Sequence, residues 1–139
     1  MFKKSPLAPS CFPVLAPVPG VRVAGVSAGL KESGHHDLFF AELAKGSTVA
    51  GVFTQSKCSS APVDWCRSIL KTGRIRGLVV NSGNANAFTG KAGDRTVEYT
   101  VAETAKRLGC RRNEIYIAST GVIGVPVEQD YIASKLPLV

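Results

Sequence analysis

The chain has 139 residues, of which 45% are hydrophobic and 19% are charged, and its formal net charge is +7. This composition is typical of a single globular domain, residues 1–139, and excludes a disordered chain. No apolar run approaches the roughly 18 residues that a membrane span requires, so we expect no membrane association.

The positive charge does not predict nucleic-acid binding. Basic residues are scattered, with doublets only at Lys3-Lys4 and Arg111-Arg112, and aromatic residues do not interleave with them. An acidic small-molecule substrate or an acidic partner chain explains the excess charge equally well.

Cysteine and histidine spacing does not predict a metal site. The four cysteines are Cys11, Cys58, Cys66 and Cys110, which form no C-x-x-C pair, and the only histidines are adjacent.

Prolines also interrupt the segment after the basic start, so no signal peptide is expected. Reduced thiols and the lack of a leader together predict a cytoplasmic protein.

The first half of the chain predicts an antiparallel meander. Residues 1–20 form an extended Pro-rich leading segment, and three strands follow over residues 21–30, 37–43 and 48–53, joined by short turns. Gly25 and Gly51 lie inside two of these strands and indicate bulges or close backbone approach.

The second half predicts alternating helices and strands. A short helix over residues 62–70 precedes a buried strand over 76–81, a long amphipathic helix over 94–108, a strand over 115–118 and an opening helix over 130–136. A helix between two such strands is the natural crossover of a parallel pair, so the fold class is α/β with a mixed sheet. Because the pattern stops within a further unit, we expect a part of a longer, processed protein.

Polar segments follow both buried strands of the second half. Residues 81–87 contain Asn81, Asn84 and Asn86, and residues 119–124 contain Thr120 and Gly121. Parallel strand ends open onto one crevice, so we expect the two segments at the same sheet edge. The asparagines are either substrate-facing amides or a structural loop that satisfies buried backbone groups, and the sequence does not separate these interpretations. The segment lacks the G-x-G-x-x-G and P-loop patterns, so no dinucleotide cofactor is expected.

Thr120 and Gly121 could together stabilise an oxyanion. A glycine amide can approach a ligand closely, and the neighbouring hydroxyl supplies a second donor. The alternative is an ordinary turn whose threonine bonds to the local backbone. If the first interpretation is right, the Gly121 N–H points into the crevice without an intramolecular partner.

Several motifs resemble one family. Residues 81–90 (NSGNANAFTG) and 118–124 (ASTGVIG), with 5–9 (SPLAP), 50–54 (AGVFT) and 61–66 (APVDWC), closely resemble the glutamate N-acetyltransferase/ornithine acetyltransferase (ArgJ) family of arginine biosynthesis. The resemblance covers essentially the whole chain in order, and its two central motifs are long and specific.

The resemblance implies a precursor that cuts itself into two chains before a threonine, which becomes the nucleophile of the second (β) chain. That threonine carries an acetyl group from N-acetylornithine to glutamate; the sequence leaves open whether acetyl-CoA is a second acetyl donor. The family's oxyanion hole falls on Thr120 and Gly121. The implied fold is the layered α/β fold shared with DmpA-type aminopeptidases, incomplete without the β chain, and the implied assembly is a heterotetramer.

The nucleophile expected from the family lies beyond Val139, so this chain alone is expected to be inactive. Two alternatives stay open on the sequence: the corresponding part of a DmpA-type aminopeptidase with an N-terminal nucleophile, and a non-catalytic binding module.

Overall fold

The computed structural model describes residues 5–139, and residues 1–4 of the predicted leading segment lie outside the described residues. Four strands form one sheet in the order β1-β2-β3-β4: β1 is Val21–Val26, β2 Leu38–Leu43, β3 Gly77–Asn84 and β4 Ile115–Val122. β1 and β3 run antiparallel to β2, whereas β4 runs parallel to β3. The predicted mixed sheet and α/β class are confirmed.

The first helix, α1 (Ala61–Ile69), closes half of the free edge of β4. It begins beside Pro62, whose missing N–H suits a first turn, and a 3₁₀ turn continues it to Gly73, which adopts a left-handed conformation. Two α1 side chains bond to the backbone of β4: Trp65 Nε1 donates to the Ile115 carbonyl at 2.9 Å, and Cys66 Sγ donates to the Ile117 carbonyl at 3.2 Å.

The second helix, α2 (Gly90–Leu108), is the crossover between β3 and β4. Its buried stripe combines Val97, Val101 and Ala105 with three threonines, Thr96, Thr100 and Thr104. Each threonine hydroxyl donates to the carbonyl four residues earlier, which satisfies it inside the core. The end of α2 lies close to the sheet at Gly77, where an added Cβ would stand 2.9 Å from Leu108 Cδ1.

The predicted strand over residues 48–53 is wrong. Only an isolated bridge joins Thr48 to Arg74, and Val52 is 97% exposed. β3 occupies the place beside β2 that this strand would have taken, so the antiparallel part of the sheet is completed from a distant segment.

Other element boundaries differ from the sequence prediction because tertiary contacts override the local residue pattern. β1 ends at Val26 instead of residue 30, because residues 28–31 form a turn that Asp37 binds. α2 starts four residues before the predicted Asp94, despite Gly90 and Gly93. The last predicted helix is a 3₁₀ segment, Ala133–Leu138.

The two faces of the sheet differ in their cover. On the α2 face, Leu38, Val79, Ile115 and Ile117 are buried in the core. On the opposite face, register places Val21, Val23, Phe39 and Val122, and all four are exposed among the described residues. The leading segment, from residue 5 to residue 20, has no regular strand or helix and exposes Leu7, Phe12 and Val14.

Candidate active site

The two predicted polar segments meet at the carboxyl ends of β3 and β4. Register places Asn81 beside Ser119, Ser82 beside Thr120 and Gly83 beside Gly121. Their placement at one sheet edge, joined through α2, is therefore as predicted. They differ from the expectation in one respect, since residues 81–84 and 119–122 complete the strands instead of forming loops.

Gly83 and Gly121 bring the two strand ends into direct backbone contact. Their φ angles are 133° and 132°, a region that only glycine adopts without strain. A Cβ on Gly121 would overlap the Gly83 carbonyl and stand 2.7 Å from the Asn84 nitrogen. No side chain can therefore occupy the space between these strand ends.

Hydrogen bonding along β4 shows which way the Gly121 amide faces. The Ile115 and Ile117 carbonyls accept bonds from α1, away from β3, whereas the Val122 carbonyl accepts the Ala85 N–H at 2.9 Å on the β3 side. Strand alternation then directs the Gly121 N–H away from β3. Within residues 5–139 it donates to no acceptor outside the strand ladder.

The Thr120 hydroxyl is exposed and makes no hydrogen bond to any described residue. Thr120 lies on the sheet face opposite α2, directly beside Ser82 of β3. The local backbone bond of the alternative turn interpretation is therefore not seen in residues 5–139. A free hydroxyl and an outward amide therefore lie on consecutive residues, and their joint role in binding an anionic oxygen stays a prediction.

Asn84 and Asn86 bind the backbone of their own loop. Asn84 Nδ2 donates to the Val125 carbonyl at 2.9 Å, and its Oδ1 accepts the Asn86 N–H at 2.8 Å. Asn86, at a φ of 47°, donates to the Gly93 carbonyl at 3.0 Å and accepts from Thr89 Oγ1 at 2.7 Å. These bonds favour the structural interpretation for both side chains.

Asn81 differs from the other two asparagines. Its Nδ2 donates to the Asn84 carbonyl at 2.9 Å, but its Oδ1 is buried without a partner among the described residues. The hydroxyl of Ser119, its register neighbour on β4, is also buried without a partner among the described residues. Both unpaired atoms lie on the face of the sheet that α2 covers, so the interior beneath the strand ends is polar at this position. Sequence reasoning passed over Ser119, although its position before Thr120 in the motif was a signal.

Sequence reasoning also missed Asp37, which is 3% exposed. Its Oδ1 accepts the Ala28 N–H at 2.6 Å, and its Oδ2 accepts those of Leu30 and Lys31 at 2.7 and 2.8 Å. Burial by itself would raise the pKa of this carboxyl, but the backbone N–H groups outweigh it and hold the pKa below its usual value. An aspartate between a glycine turn and an apolar strand was the available signal.

Cys66 has the environment of a structural thiol, not of a reactive one. Cys66 is buried against β4, and burial raises the pKa of its thiol, so it stays protonated and inert. In the described part of the chain, no three potential metal-ligating side chains lie together. Over the same residues, no helix is both long and apolar enough to cross a bilayer.

The fold and the strand-end donors define a class: an α/β protein with a mixed sheet, whose candidate site opens where two parallel strands end. The ArgJ family model matches residues 22–139. The chain belongs to the ArgJ family.

Comparisons with individual proteins agree with this family. The arginine biosynthesis bifunctional protein ArgJ of Bradyrhizobium diazoefficiens is 53% identical over 124 residues, which cover 89% of this chain and 30% of that protein. The crystal structure of Mycobacterium tuberculosis ornithine acetyltransferase complexed with ornithine matches with a TM-score of 0.76 and 37% identity, covering 87% of this chain and 66% of that one. Bacillus halodurans ArgJ matches with a TM-score of 0.77 and 29% identity, covering 84% and 61%. The chain thus spans about a third of the length of the curated relative.

Proposed function

We propose that this chain is the N-terminal portion of an arginine-biosynthesis acetyltransferase that moves an acetyl group from N2-acetylornithine to glutamate. Membership of the ArgJ family supports the activity, and the outward Gly121 amide beside the free Thr120 hydroxyl is the observation that carries the role of this part. Thr120 and Gly121 form the oxyanion hole. The nucleophile, a threonine at the start of the β chain, lies outside these residues.

The chemistry needs two donors where charge develops. The threonine oxygen attacks the acetyl carbonyl, and the carbonyl π electrons move onto its oxygen, which becomes the oxyanion. The Gly121 N–H and the Thr120 O–H donate to that oxygen. Collapse of the intermediate breaks the C–N bond and expels the ornithine amine, which takes the proton that the threonine hydroxyl lost, and leaves an acetyl ester. The glutamate amine then attacks this ester through a second oxyanion in the same hole; its collapse breaks the ester bond and releases N-acetylglutamate, and the threonine oxygen takes up the proton that the amine loses.

The same proposal covers the assembly. The chain pairs with the β chain released from one precursor, and two such pairs form a heterotetramer. Acetyl-CoA serves as an additional acetyl donor, and no bound cofactor takes part. Four free thiols fit a reducing compartment, so we place the enzyme in the cytoplasm.

The first prediction tests Thr120 in the complete two-chain enzyme. Thr120→Ala should lower kcat by about 10²–10³ because one donor to the oxyanion is lost, while Thr120→Ser should retain most activity. The measurement is transfer from N-acetylornithine to glutamate, with the melting temperature recorded for each variant. Thr48→Ala, an exposed threonine at the other end of the sheet, is the matched control. Full turnover in Thr120→Ala would remove Thr120 from the mechanism.

A further inference from the structure

Asp37 is a buried charge with no cationic partner among the ion pairs of residues 5–139. A buried carboxylate is costly unless polar groups compensate it. Backbone N–H groups of the turn at residues 28–31 supply that compensation. The carboxylate and this turn therefore form one rigid unit.

This unit is attached to the end of β3. The Asp37 carbonyl accepts the Ser82 N–H at 2.8 Å. Both backbone polar groups of Leu30 are bound: its N–H donates to Asp37 at 2.7 Å, and its carbonyl accepts the Tyr131 hydroxyl at 3.3 Å. Leu30 is thus fixed in place from two directions.

Leu30 in turn lies against Gly83. A Cβ on Gly83 would overlap the Leu30 carbonyl oxygen and stand 3.0 Å from its carbon, so the two backbones are in direct contact. Gly83 makes the same kind of contact with Gly121 on its other side. Turn, β3 and β4 are therefore stacked backbone against backbone, from Asp37 to the proposed oxyanion donor.

We propose that Asp37 is a positioning residue for the oxyanion hole, because its carboxylate fixes the Leu30 turn that sets where Gly83, and through it Gly121, can lie. This inference rests on the proposed function of Thr120 and Gly121. Asp37 itself touches no reacting atom. Its effect is geometric, since an error of about 1 Å in placing a catalytic group can cost as much as 10²-fold in rate.

The experiment compares two carboxylates that bind backbone at opposite ends of the sheet, in the complete two-chain enzyme. Asp37→Asn keeps the size of the side chain but presents an NH₂ group to backbone donors. Glu114→Gln weakens the acceptor that binds the Arg111 N–H at 3.0 Å, just before β4 begins. We expect Asp37→Asn to lower kcat about ten- to 10²-fold with KM unchanged, and Glu114→Gln to lower the melting temperature while leaving kcat unchanged.

A second variant keeps the test decisive if Asp37→Asn does not fold. Tyr131→Phe removes only the hydroxyl that holds the Leu30 carbonyl, and it should lower kcat several-fold without changing KM. Wild-type kcat in a folded Asp37→Asn enzyme, or in Tyr131→Phe when the former does not fold, would overturn the positioning role. If the unmodified enzyme transfers no acetyl group, the proposed function fails instead, which is a distinct result.

Discussion

At the scale of single residues, the contact between Gly83 and Gly121 is the tightest constraint on the candidate site. Both residues combine a φ near 130° with backbone atoms where a Cβ would be. Steric exclusion and backbone conformation therefore demand glycine independently at each position.

Gly121→Ala should consequently destabilise the protein by about 1–3 kcal/mol or more, because strain adds to the overlap with Gly83. The apparent melting temperature of the complete enzyme measures this effect. Gly51→Ala is the matched control, since a Cβ there meets nothing within 4 Å. Equal melting temperatures for the two variants would contradict the close contact.

The lowered pKa of Asp37 predicts that the folded protein loses stability at acid pH. Its pKa is lowered in the folded state, so the unfolded chain binds more protons across that window and stability rises with pH there. The contribution is complete above the ordinary Asp pKa of about 3.9 and disappears as the pH falls through the folded-state value.

Unfolding of the complete enzyme in denaturant, followed between about pH 5 and pH 3, should show this loss, and Asp37→Asn should flatten it. Asp130→Asn changes an exposed carboxylate that makes no backbone bonds in the described residues, so it serves as the control. An identical pH slope in wild type and Asp37→Asn would contradict this assignment.

At the scale of elements, the spacing of hydrophobic residues predicted those helices and strands that a local sequence pattern can specify. The amphipathic stripe of α2 and the apolar runs of β3 and β4 were correctly identified, and the parallel pairing followed from the crossover between them. The motif residues Thr120 and Gly121 were also placed at the correct sheet edge.

The errors came from contacts distant in sequence. Residues 48–53 have a strand-like pattern, but β3 pairs with β2 instead. Gly90 and Gly93 concealed the start of α2 in the sequence, because glycine disfavours a helix, and only the structure shows that Asn86 and Thr89 pack against the first turn at Gly93. The role of Asp37 depends on a turn that no pattern in the sequence predicts.

At the scale of the whole molecule, one face of the sheet is only partly covered by the described residues, since Ala41 and Tyr116 are buried there but four apolar side chains are exposed. Val23 and Val122 are 64% and 56% exposed on that face, at opposite edges of the sheet. Exposed apolar patches of this kind are typical of surfaces that associate.

Residues 1–139 expressed alone should therefore self-associate and show no acetyl transfer, because no candidate nucleophile is assigned within them. Light scattering or sedimentation measures the association. Val23→Lys should reduce it, while Val52→Lys, which changes an equally apolar but 97% exposed side chain outside the sheet, should not. A monodisperse monomer with a cooperative melt would contradict this prediction, as would measurable turnover.

The glycine contact also determines how accurately the donor is placed. Side chains in a core can change rotamer and volume, so a spacing that they set varies with temperature and with sequence. The spacing between the ends of β3 and β4 is set by main-chain atoms alone. The distance between the two strand ends is therefore fixed by van der Waals contact of main-chain atoms, while the position of both strand ends together depends on the Leu30 turn that Asp37 binds.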